Sequence, residues 1–240
     1  MSQRDAPHHS ALVVSSTIKT TDGRPIQLYC FDLDRLQVSD IDSLACEKEQ
    51  AGRFHFARDG ERFLVRRAVF RSLVAELNEL EVTDVQLVTE NGERPWIRGL
   101  SDFEFNTSHS GSSYMVATSV EAIPGIDVEL EREIPDLDSV VKRICTPEEC
   151  DQIGSADRFS SKWFLELWTR KEAVMKGLGL GLKLDPDRIT IPVQKGALEA
   201  WSPVGIDGSG EFPSIEVITP TDLPDETICS LAVQVMPSRS

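Results

Sequence analysis

Two short segments carry charges where a soluble fold does not ordinarily put them. In WTRKEAVMKG, residues Trp168–Gly177, the helical repeat groups Phe164, Leu167, Trp168, Met175 and Leu178 on one apolar face. Lys171 falls inside that face, and Glu172 falls on its edge in line with Leu165 and Trp168. Charges in such positions cost free energy unless a side chain, a metal or a charged ligand meets them. In GIDVEL, residues Gly125–Leu130, Ile126, Val128 and Leu130 alternate with Asp127 and Glu129. The period of two in a strand turns both carboxylates the same way, where they repel each other unless a cation lies near. Carboxylates, waters and ligand phosphates are the donors magnesium uses. If the strand packs on the helix, Asp127, Glu129 and Glu172 can surround one metal, with Lys171 and Lys176 beside it for phosphate. That is a site for a polyphosphate ligand. Plainer readings stand beside this one. Glu172 and Lys176 also fit an exposed i,i+4 ion pair worth about 0.2–0.5 kcal/mol, and Asp127 and Glu129 also fit the wet face of an ordinary strand.

The elements that must position these groups follow from pattern. ALVVS (11–15), IQLYCFDL (26–33), VQLVTE (85–90), GIDVEL, RITIPV, SIEVITP and ICSLAVQVM read as strands, and 43–80 reads as one long helical region. FEFNTSHSGSSYMVATSV reads as strand, loop, strand, and NGERP as a turn. A short helix is expected after Pro135. In TPEEC, Thr146 is a good N-cap, Pro147 suits the first turn and Glu149 completes a capping box. The helix that carries Trp168–Gly177 ends in GLGLGL. A loose repeat pairs CEKEQ, Arg53-Phe54 and FLVRRAVFRSLV with TPEEC, Arg158-Phe159 and FLELWTRKEAVM. It suggests two similar α/β halves.

Composition bounds the ligands. The chain has 240 residues and a net charge of −15, from 40 acidic and 25 basic side chains. This argues against broad nucleic-acid or anionic-membrane binding, so an anionic ligand needs a local basic site. Arg53, Arg58, Arg62, Arg66, Arg67 and Arg71 supply one candidate, although a solvated helix face explains most of such a run. Five cysteines without a CxxC pair read as reduced thiols. Without a signal core or a membrane-length apolar run, a cytoplasmic protein is expected. His8-His9 reads as part of a mobile polar tail.

Gly-Ile-Asp-Val-Glu followed by Trp-x-x-Lys-Glu-Ala-x-x-Lys-Gly resembles the signature of the Sfp-type 4′-phosphopantetheinyl transferases. Asn106-Thr107-Ser108-His109-Ser110 resembles that family's Asn-x-Ser-His-Ser segment, and NGERP its Gly-Lys-Pro turn with Arg94 in the lysine's place. The likeness runs from about Glu47 to Leu182. The resemblance implies an α/β (α+β) fold of two pseudo-twofold-related halves, 1–122 and 123–240, with the active site in the cleft between them. It implies a monomer that moves the phosphopantetheine arm of coenzyme A to a serine of an acyl or peptidyl carrier protein, with Mg²⁺, releasing adenosine 3′,5′-bisphosphate. On that resemblance Asp127, Glu129 and Glu172 are the metal ligands, with Asp127 and Glu172 catalytic and Glu172 the candidate base. Lys176 and Lys171 hold the diphosphate. Ser108 and His109 meet the nucleotide's 3′-phosphate, and Arg62 and Arg94 the same phosphate or the adenine edge. Lys48 matches a basic family position, while Ala51 stands where the family has a second lysine. The residues alone leave open another Mg-dependent nucleotide phosphotransferase or phosphohydrolase, and a non-catalytic module binding coenzyme A or a carrier protein.

Overall fold

The computed structural model describes residues 6–89, 94–152, 160–180, 184–191, 198–201, 213 and 215–234. A short helix α1 (Pro7–Ala11) leads into strands β1 (Leu12–Lys19) and β2 (Pro25–Asp32). Helices α2 (Ala45–Ala51) and α3 (Ala57–Leu77) follow, then the small pair β3 (Leu87–Val88) and β4 (Trp96–Ile97), and the hairpin β5 (Glu104–Ser110) and β6 (Ser113–Ser119). Next come β7 (Ile123–Leu130), α4 (Leu137–Ile144), α5 (Pro147–Gln152) and α6 (Ser161–Gly177), and finally β8 (Leu198–Trp201), β9 (Ile215–Ile218) and β10 (Thr227–Gln234). Two antiparallel four-stranded sheets result, in the orders β1-β2-β6-β5 and β7-β10-β9-β8.

The layering follows from strand alternation. Ile26, Leu28 and Cys30 of β2 and Met115 and Ala117 of β6 face Ile126 and Val128 of β7 and Cys229, Leu231 and Val233 of β10, forming a core between the sheets. The opposite face of the first sheet, with Phe31, Phe105, Tyr114 and Val116, packs on Val65, Val69, Phe70 and Leu73 of α3. The opposite face of the second sheet, with Ile215, Val217, Ile228 and Ala232, packs on Leu165, Val174 and Met175 of α6. The molecule is a helix–sheet–sheet–helix sandwich, an α/β arrangement as expected. The two sheets share part of their connectivity. In each, a strand precedes the long helix and pairs with the last strand, which pairs in turn with the one before it: β2-β6-β5 and β7-β10-β9.

Several expectations are corrected. The 43–80 helical region is divided into two helices, because the chain turns at Gly52–Phe56 and folds α2 back on α3. Gly60 permits that approach, since a Cβ there would lie 2.7 Å from the Ala51 carbonyl oxygen. RITIPV does not form a ladder strand over 188–191. There the side chains of Lys171 and Glu149 take backbone groups at Pro186, Ile189 and Ile191 that a strand would use, and 192–193 lie outside the described residues. So do Arg158-Phe159 and the first three residues of NGERP. VQLVTE contributes only Leu87–Val88 within its described part. The segment around His8 is no loose tail, since His8 is 3% exposed against α3. All five cysteines are free. Among the described residues no helix is long and apolar enough to cross a membrane.

Candidate active site

The site forms where β7, at the edge of the second sheet, meets α6 on one side and β5 of the first sheet on the other. Gly125 sets the first contact. A Cβ on it would lie 2.1 Å from the Ala173 carbonyl oxygen and 2.3 Å from the Gly177 nitrogen, so β7 touches the α6 backbone with no side chain between. Asp127 and Glu129, on the same face of β7 as Gly125, are thereby brought to the side of α6 that carries Glu172 and Lys176. The second contact is polar. Asn106, Ser108 and Ser110 alternate along β5 and reach β7. The Asn106 Oδ1 accepts from the Ile126 N–H at 3.1 Å, the Ser108 hydroxyl donates to Asp127 Oδ1 at 2.7 Å, and the Ser110 hydroxyl donates to Glu129 Oε2 at 2.7 Å.

Lys176 sits at the centre. Its ammonium donates to Asp127 Oδ1 at 2.6 Å, to the Ile126 carbonyl at 3.2 Å and to Ser108 Oγ at 3.2 Å, and it lies 3.9 Å from Glu172 Oε2. Glu129 Oε2 also accepts from Arg132 at 2.7 Å. Glu172 Oε1 is buried with no hydrogen-bond partner. Burial raises the Asp127 carboxyl above its ordinary range, opposed by Lys176 and Ser108 and reinforced by Glu129. Burial likewise raises Glu172, opposed by Lys176 and reinforced by Asp127 and Glu129. The three carboxylates thus share one field, as their spacing suggested. Their oxygens do not all lie within 4.8 Å of one another, the Lys176 ammonium standing between Asp127 and Glu172. The donor set of three carboxylates and an orphaned buried oxygen fits a hard divalent cation. Asp127, Glu129 and Glu172 are the residues that would hold it.

The structure brings together Asp127, Glu129, Glu172, Lys176 and Ser108, and gives the other candidates different partners. Lys171 is fully buried, but its partner is not a ligand. Its ammonium donates to the carbonyls of Pro186 and Ile189 at 2.8 and 2.7 Å and pairs with Glu149 Oε2 at 2.8 Å. Glu149, also fully buried, completes the expected capping box with Thr146 and accepts from the Ile191 N–H at 2.7 Å. Arg94 is a clamp as well. Its guanidinium donates to the carbonyls of Lys176, Phe105 and Pro124, tying the end of α6 to β5 and β7. Arg62 chelates Asp34 at 2.9 Å, and Lys48 stands exposed on α2.

Ser108 and His109 lie in a strand rather than a loop, so they face opposite ways. Ser108 joins the carboxylates. His109 turns to the α3 side and lines a cavity of about 330 Å³ with Phe63, Arg66, Arg67, Thr89 and Pro95. Partial desolvation, then the cations Arg66 and Lys176, hold His109 down to about 4. Arg66 is the residue whose role the sequence did not single out. Of the six α3-region arginines, five pair with carboxylates: Arg53 with Glu49, Arg58 and Arg62 with Asp34, Arg67 and Arg71 with Glu47. Among the described residues Arg66 has no acidic partner and lies over the Phe63 ring, 5.8 Å from its centroid. A desolvated guanidinium without a counterion, beside a histidine in a cavity, is arranged for an anion.

The family model described as the 4′-phosphopantetheinyl transferase superfamily matches residues 123–200, and that of the 4′-phosphopantetheinyl transferase N-terminal region matches residues 35–121. The chain is 32% identical over 165 residues to the 4′-phosphopantetheinyl transferase HetI of Nostoc sp., covering 65% of this chain and 70% of the relative. It is 30% identical over 146 residues to the 4′-phosphopantetheinyl transferase Sfp of Bacillus subtilis, covering 60% and 64%. It is 31% identical over 162 residues to the L-aminoadipate-semialdehyde dehydrogenase-phosphopantetheinyl transferase of Mus musculus, covering 61% and 52%. Against these last two the matched region spans less than two thirds of the relative. The chain belongs to the 4′-phosphopantetheinyl transferase superfamily. Its likeness to Sfp and HetI puts it with the Sfp type.

Proposed function

We propose that this chain transfers the 4′-phosphopantetheine arm of coenzyme A to a serine of an apo acyl or peptidyl carrier protein, with Mg²⁺, and releases adenosine 3′,5′-bisphosphate. The observation that carries the proposal is the meeting of Asp127, Glu129, Glu172 and Lys176 at the β7–α6 contact, with one Glu172 oxygen buried and unpartnered. When bound by Asp127, Glu129 and Glu172, Mg²⁺ supplies Lewis-acid charge to the diphosphate oxygens.

The chain's own groups do the rest. Lys176 brings a positive charge to the diphosphate. Ser108 fixes the orientation of Asp127 through its 2.7 Å hydrogen bond. Glu172 accepts the proton of the attacking serine, directly or through a water. Burial raises its pKa, which makes it a stronger base than an ordinary glutamate. The diphosphate lies between the halves, and the cavity of Arg66 and His109 takes the nucleotide's 3′-phosphate. The two halves, 1–122 and 123–240, thus divide the work between nucleotide and metal. The reading carries a monomeric, cytoplasmic enzyme with it.

Incubation with coenzyme A, Mg²⁺ and a panel of apo carrier proteins, read by intact mass, tests the proposal. The expected result is a carrier heavier by one phosphopantetheine arm, with the carrier serine modified. Hydrolysis of coenzyme A without carrier modification would replace this reading with a phosphohydrolase. Binding of coenzyme A without any product would replace it with a binding module.

A further inference from the structure

A second cluster of metal-type ligands lies at the other end of α3. Helix α1 docks on the last turns of α3 and places two consecutive histidines on one carboxylate. The His8 Nε2 lies 3.0 Å from Glu76 Oε2, and the His9 Nε2 lies 3.1 Å from the same oxygen. One ligand atom from each residue lies within 4.8 Å of the other two, and no other such trio exists among the described residues. We propose that His8, His9 and Glu76 bind a divalent transition-metal ion of the zinc class.

Three features favour an ion over a plain ion-pair contact. First, two imidazole nitrogens and one carboxylate are a donor set that suits Zn²⁺ and related ions, and disfavours Mg²⁺, which takes oxygens. His9 and Glu76 are about half exposed, which leaves a side of the cluster open for water as a fourth ligand. Second, His8 is already held as ligating histidines are. Its Nδ1 lies 2.7 Å from Ser72 Oγ inside the protein, which aims Nε2 at Glu76. Third, the local field calls for a cation. Glu76 stands in the last turn of α3, where the backbone carbonyls already carry negative partial charge, and that turn contains no basic residue. An ion bound there would fasten α1, and the start of β1 behind it, to α3.

The test uses the full chain carrying Cys46→Ser, which removes the exposed thiol. Zn²⁺ is titrated by calorimetry, and thermal unfolding is followed with and without EDTA. The expected result is one Zn²⁺ per chain beyond any held by Asp127, Glu129 and Glu172, with a rise in Tm that EDTA reverses. His9→Ala and Glu76→Gln should abolish that rise while leaving the Tm in EDTA within a few degrees. Ser72→Ala should weaken binding about ten- to a hundredfold, as loss of a supporting hydrogen bond does. Co²⁺ in place of Zn²⁺ should give visible tetrahedral bands that His9→Ala removes. No Zn²⁺ binding, or binding unchanged in both His9→Ala and Glu76→Gln, would overturn the proposal.

Discussion

Replacing Lys171 with methionine separates the chain's two inward-facing lysines most sharply. Lys171 is fully buried, and its ammonium satisfies three acceptors: the Pro186 and Ile189 carbonyls and Glu149 Oε2. Methionine fills the volume but leaves the Glu149 carboxylate buried with only the Thr146 and Ile191 N–H donors. Breaking one side of a buried ion pair costs about 3–5 kcal/mol. At about 2–4 °C per kcal/mol for a chain of this size, the Tm should fall by roughly 6–20 °C. Urea unfolding and calorimetry measure the loss. Lys171→Met with Glu149→Gln should recover a substantial part of it, because no uncompensated charge remains. At a temperature well below the lowered transition, the KM for coenzyme A should stay within about threefold of wild type, since no transition-state or substrate contact is removed. A normal Tm combined with a tenfold rise in KM would refute the staple and return Lys171 to the diphosphate.

Four further outcomes follow from the same geometry. Glu172→Gln removes a buried like charge from beside Asp127 and Glu129, so it should raise the metal-free Tm by about 2–4 °C for a gain of order 1 kcal/mol, while lowering kcat by about 10²–10⁴-fold. The folded values of Asp127 and Glu172 are raised, so the folded state binds extra protons between the ordinary and the raised values. Metal-free stability should therefore fall as pH climbs through that window, and Glu172→Gln should flatten the fall in a pH series of melts. Gly125→Ala forces β7 off α6 and should cost about 1–3 kcal/mol or more, with loss of transfer activity even in the fraction that stays folded, as read by circular dichroism and turnover. Arg66→Ala should raise the KM for coenzyme A but leave that for its 3′-dephospho form nearly unchanged; equal effects on both would move the 3′-phosphate elsewhere.

What the sequence made legible was local. Asp127 and Glu129 share a face because a strand alternates, and Glu172 and Lys176 share one because a helix repeats. Thr146 and Glu149 announced their capping box within four residues. The partner of Lys171 was not legible, because the pair joins α6 to α5 and no periodicity encodes which distant side chain meets a buried charge. Arg94 misled for the same reason: its acceptors are backbone carbonyls on three separate elements. Asn106–Ser110 is polar at successive positions, so its alternation carried no hydrophobic mark and Ser108 and His109 were grouped when they point apart. Six arginines on one stretch gave no hint of which lacked an acid, since Asp34 and Glu47 become neighbours only after folding. RITIPV has the composition of a strand, but its backbone groups were claimed by side chains.

The most direct test is intact-mass analysis of an apo carrier protein incubated with coenzyme A, Mg²⁺ and either wild-type enzyme or Asp127→Ala. Wild type should add one phosphopantetheine arm, EDTA should stop it, and Asp127→Ala should lose at least as much rate as Glu172→Gln, because electrostatic stabilisation of the phosphoryl centre outweighs the base. Transfer by Asp127→Ala with Mg²⁺ at a rate near wild type would contradict the assignment of β7 and α6 to a shared metal site.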